Sequence, residues 1–366
     1  MGTIDRSLKL GNRERMVRTC LNQDVDRLPF WFMFGPWEET VARWLGEGLE
    51  SRDWKAPFGF DEGFRVLPVE LGLYPRYERK VLSEDGVRRT VRNERGITFV
   101  EIVGRSTIPQ FIDYPVKTRE EWEALKRERL DPHAPGRFPE NWKSVIEGFK
   151  DSDAAVQIGE YPYGLFGTLR DLMGVEELLT AFCEEPELIR DMMDYLTGFW
   201  LEIYAIASRD IQIDHIHIWE DMTGKHGPLI SPAMFREFME PNYKRIVDFA
   251  RQNGIPVISV DTDGNMDIMM PLLEESGINL VLPFEVQAGC DIVEIKRKYP
   301  GICLHGGIDK RMLTRGRGEI DAELERVGSL FTASGYIPAL DHLIHPEIGY
   351  DNFCYFIKRL KELIWG

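Results

Sequence analysis

The feature that most constrains this chain is an alternation. Short apolar runs rich in Val or Ile occupy residues 155–158, 213–219, 256–260, 280–283, 302–305 and 336–340, each ending in glycine or an ionisable residue. Most of them lead into a helix-like segment. Short buried strands alternating with helices form a parallel sheet. Two earlier runs, 28–34 and 64–69, raise the strand count to eight. Eight parallel strands with helical crossovers is the number of a (β/α)8 barrel, the α/β architecture we expect. A doubly wound open sheet is the alternative. The 366 residues would suit two domains at roughly 150 residues each. Such barrels often run longer as one unit, so a single domain over 1–366 is expected.

The pattern changes between 77 and 103. Alternating stretches at 77–82, 87–91 and 97–103 are separated by turns at Asp85-Gly86 and Glu94-Arg95-Gly96. We expect an antiparallel meander, 76–103, inserted after the second strand. The helices carry their own signals. Ser231-Pro232 places an N-cap before a first-turn proline, and Thr118-Arg119-Glu120-Glu121 reads as a capping box.

Charge narrows the partners. Lys and Arg number 45 against 61 Asp and Glu, a net −16. Nucleic acid and anionic membranes both need basic surface, so neither is expected. No apolar run approaches the roughly 18 residues of a membrane span. The first fifteen residues lack the apolar core of a signal peptide. The five cysteines are scattered and include no CxxC pair. A reducing cytoplasm is the expected compartment.

In a barrel the chemistry lies at the C-terminal ends of the strands. Those ends are rich in acids and histidines. They carry Glu220-Asp221, Asp261-Thr262-Asp263, Glu285, His305, Asp309-Lys310-Arg311, Asp341-His342 with His345, and Glu160-Tyr161. One acid alone fits a loop or a helix cap. The gathering over these strand ends points instead to an acidic cleft, where carboxylates can divide acid and base roles or hold a metal. His215 and His217 share a strand face, but strand histidines are more often satisfied core residues. Cys303 reads as core. Lys310 and Arg311 could hold a substrate carboxylate, or simply open a helix. The chain has no GxGxxG, Walker loop, HExxH or GxSxG, which removes most support for nucleotide, zinc-protease and serine-hydrolase readings.

Several segments together resemble the uroporphyrinogen decarboxylase superfamily. They are Leu28-Pro29-Phe30-Trp31-Phe32-Met33, Leu71-Gly72, and Leu229-Ile230-Ser231-Pro232 with Phe235, Phe238, Pro241 and Tyr243. Gly306-Gly307-Ile308-Asp309 and Asp341-His342 followed by Pro346 complete the set. The resemblance spans nearly the whole chain and implies a distorted (β/α)8 barrel. The departures are specific. The RxxxR stretch that would hold porphyrinogen carboxylates is Phe34-Gly35-Pro36-Trp37-Glu38. The family's Asp falls near Gly63, with Asp61 and Glu62 beside it. Its Tyr falls near Phe166 or Gly167, its Ser near Asp221, and only the terminal His is kept, as His342. Losing two bidentate anion contacts would cost several kcal/mol of substrate binding.

The other branch that the resemblance implies is the corrinoid-linked methyltransferases, which bind zinc and pass a methyl group to a cobalamin-carrying protein. Their H-x-C and late Cys fall near Val260, Thr262 and His342, a poor zinc set. Asp261, Asp263, Glu285 and His342 would be an oxygen-rich alternative. The lead expectation is therefore methyl transfer from a small substrate to a corrinoid protein, with zinc as a possible cofactor. Decarboxylation of a small or tetrapyrrole-like carboxylate is the alternative. A non-catalytic binder, walled by Phe30, Trp31, Phe32, Phe34 and Trp37, is a second one. The expected catalytic residues are His342, Asp263, Asp261, Glu220 and Asp221. The expected substrate contacts are Lys310, Arg311, His305, Glu285, Phe34, Trp37 and Tyr161. A homodimer is the base-rate expectation.

Overall fold

The computed structural model describes residues 2–104 and 109–366. Its centre is a seven-stranded parallel sheet whose spatial order follows the chain. The strands are β1 (Phe64–Val66), β2 (Ala155–Ile158), β3 (His215–Trp219), β4 (Val257–Asp261), β5 (Leu280–Leu282), β6 (Cys303–Ile308) and β7 (Tyr336–Leu340). Helices connect them, the longest being Pro186–Ser208 between β2 and β3.

Both faces of the sheet are covered, which is why the strands read as unbroken apolar runs. Ile158, Ile216, Ile218, Val260, Val281 and Leu304 face the outer helices in one large cluster. The alternate residues Ala155, Val257, Leu280, Leu282, Cys303 and Ile337 form a second, inner cluster. Met16 and Cys20, one turn apart on the helix Asn12–Cys20, join that inner cluster beside the first residues of β1, β2, β4, β5 and β6. The helix thus floors the N-terminal end of the curled sheet.

The expected strand at 28–34 is not one. The segment is buried from Leu28 to Phe32 but joins no sheet. Pro29 has no N–H to donate, and the N–H of Phe30 goes to the Asp61 carboxylate at 2.9 Å. Arg27 grips the same carboxylate with two bonds of 2.7 Å. Asp61, a candidate from the family resemblance, is committed to this anchor. Further on, the N–H of Ile344 donates to Gly35 at 3.0 Å and that of Trp37 to Ile344 at 3.1 Å. The segment therefore runs from beside β1 to the loop after β7, the two edges of the sheet.

The antiparallel insertion has four strands, Lys80–Glu84, Arg88–Arg92, Thr98–Ile102 and Gln110–Asp113. Three were expected. The fourth, QFID, is exposed along its whole length and gives no alternation of burial. Among the described residues, no helix is long and apolar enough to cross a membrane.

Candidate functional site

Asp221, Asp261, Asp263 and His342 meet at the C-terminal ends of β3, β4 and β7. The His342 Nε2 lies 3.2 Å from the Asp263 carboxylate, and both side chains reach solvent, 20% and 40% exposed. The Phe34 ring stacks on His342 with centroids 4.7 Å apart. Asp261 is almost fully buried. Burial, together with the charges of Asp263 and Asp221, holds its carboxyl well above the usual carboxylate range. Asp221 is also pushed up, chiefly by burial, against the opposing pull of Arg170. Arg170 donates to the Asp221 carboxylate and, at 3.0 Å, to its backbone carbonyl. Local packing fixes these loops. Gly264 has φ +84°, and a Cβ there would sit 2.5 Å from the Gly224 carbonyl oxygen, so glycine is required. Its N–H donates to Glu285 at 3.0 Å.

Below this mouth runs a polar column. His215 Nδ1 lies 3.1 Å from Gln157 Oε1, and His215 Nε2 lies 2.7 Å from Ser259 Oγ. Ser259 Oγ also lies 2.8 Å from His217 Nδ1. The His217 Nε2 then faces Asp261 at 3.7 Å. Burial lowers the His217 pKa to about 4. The register Ser259 to His217 places these residues side by side on neighbouring strands. The expectation of satisfied core histidines fits His215, with partners on both ring nitrogens, while His217 has a hydrogen-bond partner on Nδ1 alone. The sequence reading passed over Gln157, Ser259 and Arg170. The signal for Ser259 was a polar residue between Val257 and Asp261 on the same strand face as the H-x-H pair.

Several expected contacts lie elsewhere. His305 is not at a strand end, because β6 continues through Gly306 and Gly307 to Ile308, paired with β7. It is buried between Trp31 and Phe34, with both ring nitrogens unpartnered among the described residues. Burial, with a smaller push from His217, lowers its pKa to about 3. Glu220 is fully buried. It accepts from the N–H groups of Leu165, Phe166 and Gly167 at 3.0, 2.6 and 3.1 Å and from the Tyr243 hydroxyl at 2.7 Å. It holds the start of the helix Leu165–Met173 and has no acceptor capacity left for a substrate. Arg311 forks onto Asp309 at 2.7 and 2.8 Å, which satisfies its charge within the protein. Lys310 is buried, and its charge and its N–H both act on Asp341. Trp37 packs on His345 at 5.3 Å. Tyr161 is 59% exposed, with its ring edge-on to Trp219. It lines a separate cavity of about 560 Å³ under the antiparallel strands, with Arg76, Arg95, Glu160, Tyr163 and Asp171.

A resident zinc does not fit this donor set. Among the described residues, no three His, Cys, Asp or Glu side chains group as ligands. The Cys290 thiol donates to the Gly264 carbonyl at 3.3 Å instead. Zinc sites take four nitrogen, sulfur or carboxylate-oxygen ligands in a tetrahedron, and the described residues gather no such set.

The sequence profile described as "Uroporphyrinogen decarboxylase (URO-D)" matches residues 96–363, nearly three quarters of the chain. The chain belongs to the uroporphyrinogen decarboxylase family. Relatives bearing that enzyme's name are distant. One from Anaeromyxobacter sp. (strain Fw109-5) is 23% identical over 96% of this chain and 99% of its own. Another from Maricaulis maris (strain MCS10) is 21% identical over 96% and 98%. Among solved structures, a methyltransferase from Methanosarcina mazei superposes with a TM-score of 0.60 at 17% identity, over 97% of this chain and 99% of that one. That likeness shows the shared fold. The sequence relatives are thus named for decarboxylation, and this structural neighbour is named for methyl transfer.

Proposed function

We propose that this chain is a methyltransferase-type member of the family, moving a methyl group from a small substrate to a corrinoid carried by a partner protein. The observation that carries this reading is the mouth itself. It offers a carboxyl shifted toward its neutral, proton-bearing form, Asp261, beside an Asp263–His342 pair, and Arg170 there is already paired with Asp221. A polycarboxylate such as a porphyrinogen would meet acids where it needs cations. A small substrate losing a methyl group needs something else, a proton for the heteroatom left behind. Asp261 is placed to donate it. Asp263 and His342, which reach solvent, would orient the substrate, and Phe34 would pack against it. The corrinoid, when bound, supplies the nucleophile that accepts the methyl group. On this reading the segment at 28–34 completes the curled sheet as the eighth unit of a barrel.

Decarboxylation is the second reading. The full-length relatives bear that name, and the same proton donor would serve a carbon that loses carbon dioxide.

One experiment separates the two. Reduced cobalamin is incubated with the chain and a panel of methoxylated and N-methylated small molecules, and methylcobalamin formation is followed by its absorbance. A parallel arm follows carbon dioxide release from uroporphyrinogen and from small carboxylates. Methyl transfer with no carbon dioxide supports the first reading. Carbon dioxide release without methyl transfer replaces it with the second.

A further inference from the structure

The polar column below the mouth has a fixed direction, and that direction begins at a backbone carbonyl. The oxygen of Gly159 can only accept. Gln157 lies 2.8 Å from it, so it presents its Nε2 there and turns Oε1 toward His215. An amide oxygen also only accepts. His215 must therefore donate through Nδ1. His215 is fully buried, and burial together with His217 holds its pKa well below the usual value. It is a neutral imidazole, so a proton on Nδ1 leaves Nε2 bare. Ser259 has one hydroxyl proton, and the bare Nε2 at 2.7 Å takes it. The Ser259 oxygen can then only accept, and the donor 2.8 Å away is His217 Nδ1. His217 is buried and neutral in turn, so its Nε2 lone pair faces the Asp261 carboxyl at 3.7 Å.

We propose that this chain of bonds, from Gly159 through Gln157, His215 and Ser259, presets His217 as the Nδ1–H tautomer and leaves the single proton at the site end on Asp261. Two bare acceptors facing each other in a dry interior would repel, and one proton between them removes that conflict. The separation is longer than a hydrogen bond, and a bound substrate that moves either group closes it. Gln157 and Ser259 are positioning residues: they touch no substrate, and they act through His217. At this point the mouth presents an O–H donor rather than an anion.

The tautomer is independent of the reaction. The use made of the Asp261 proton rests on the proposed function. The test reads the two separately. Imidazole nitrogen NMR on the full chain labelled with 15N, assigned through His215→Gln and His217→Gln, reports which ring nitrogens carry protons. The expected result is protonated Nδ1 and bare Nε2 on both histidines. Ser259→Ala should release His217, moving its proton toward Nε2 and Asp261, and Ser259→Thr should restore the original pattern. In turnover, Ser259→Ala should lower kcat about tenfold or more with KM little changed. A wild-type His217 protonated at Nε2 overturns the proposal, whatever Ser259→Ala does to folding. An unchanged His217 tautomer in a folded Ser259→Ala protein also overturns it. The predicted tautomers without any methyl transfer would support the column and defeat only the functional reading.

Discussion

The mouth of the parallel sheet and the cavity beneath the antiparallel strands both hold carboxylates, but their charges are matched differently. In the cavity, Arg76 donates to Glu70 at 2.6 Å and Arg95 pairs with Asp171. Glu70 also accepts from the Tyr163 hydroxyl at 3.2 Å. At the mouth, Arg170 answers Asp221, but Asp261 and Asp263 have only His217 and His342 within ion-pair distance among the described residues. A carboxylate answered by a guanidinium is part of a wall. A carboxylate facing imidazole keeps capacity for a ligand.

The largest test of that contrast is on turnover. Asp263→Asn and His342→Ala should each cut activity by about 10²–10⁴-fold, with unchanged circular dichroism. Arg76→Ala, in the cavity, should change it by no more than a few-fold. The reverse order would move the active site to the cavity. Next in size is a stability effect. Glu220→Ala leaves three helix-start N–H groups buried without acceptors and should cost about 3 kcal/mol or more in urea unfolding. If the loss is under about 1 kcal/mol, Glu220 is not the anchor described.

A smaller effect concerns pH. Burial raises Asp171 to about 6, against the opposing pull of Arg95 and Arg170. Its native form then binds more protons than the unfolded chain between about pH 4 and pH 6. The resulting stabilisation is fully present below pH 4 and lost as pH rises through 6, about 1–3 kcal/mol in all. Asp171→Asn should remove that downward slope from a series of denaturant melts. Its persistence would show that another group causes it. The smallest expected effect is none: dialysis against a chelator should leave activity intact. A loss restored by zinc would show that ligands gather at the mouth when metal is present.

The sheet was legible because burial on both faces writes itself as apolar runs, and seven of the eight expected runs are its strands. The eighth failed through Pro29 and through Asp61, 31 residues on from Phe30, whose N–H it takes. That partner is invisible to periodicity. Asp261, Asp263 and His342 were legible because they follow strand ends. Glu220 follows one too, but its fate was decided by three amides at the start of the helix Leu165–Met173. Arg311 was spent on Asp309, two residues before it, which local spacing could have suggested. His305 was misplaced because Gly306-Gly307 looks like a turn and is in fact strand. The hydrogen-bonded column needed two strands in register before its direction could be read.

The helix Asn12–Cys20 packs against the inner cluster at the first residues of the strands, the end of the sheet opposite Asp261. That end is filled with apolar side chains. A ligand would reach Asp261 from the other end, where the strands finish. If the methyl acceptor is a protein-borne corrinoid, it must stand in the same opening that the small substrate uses. The order of events would then be fixed: the small molecule first, the carrier behind it, and the carrier stepping aside before the demethylated product departs.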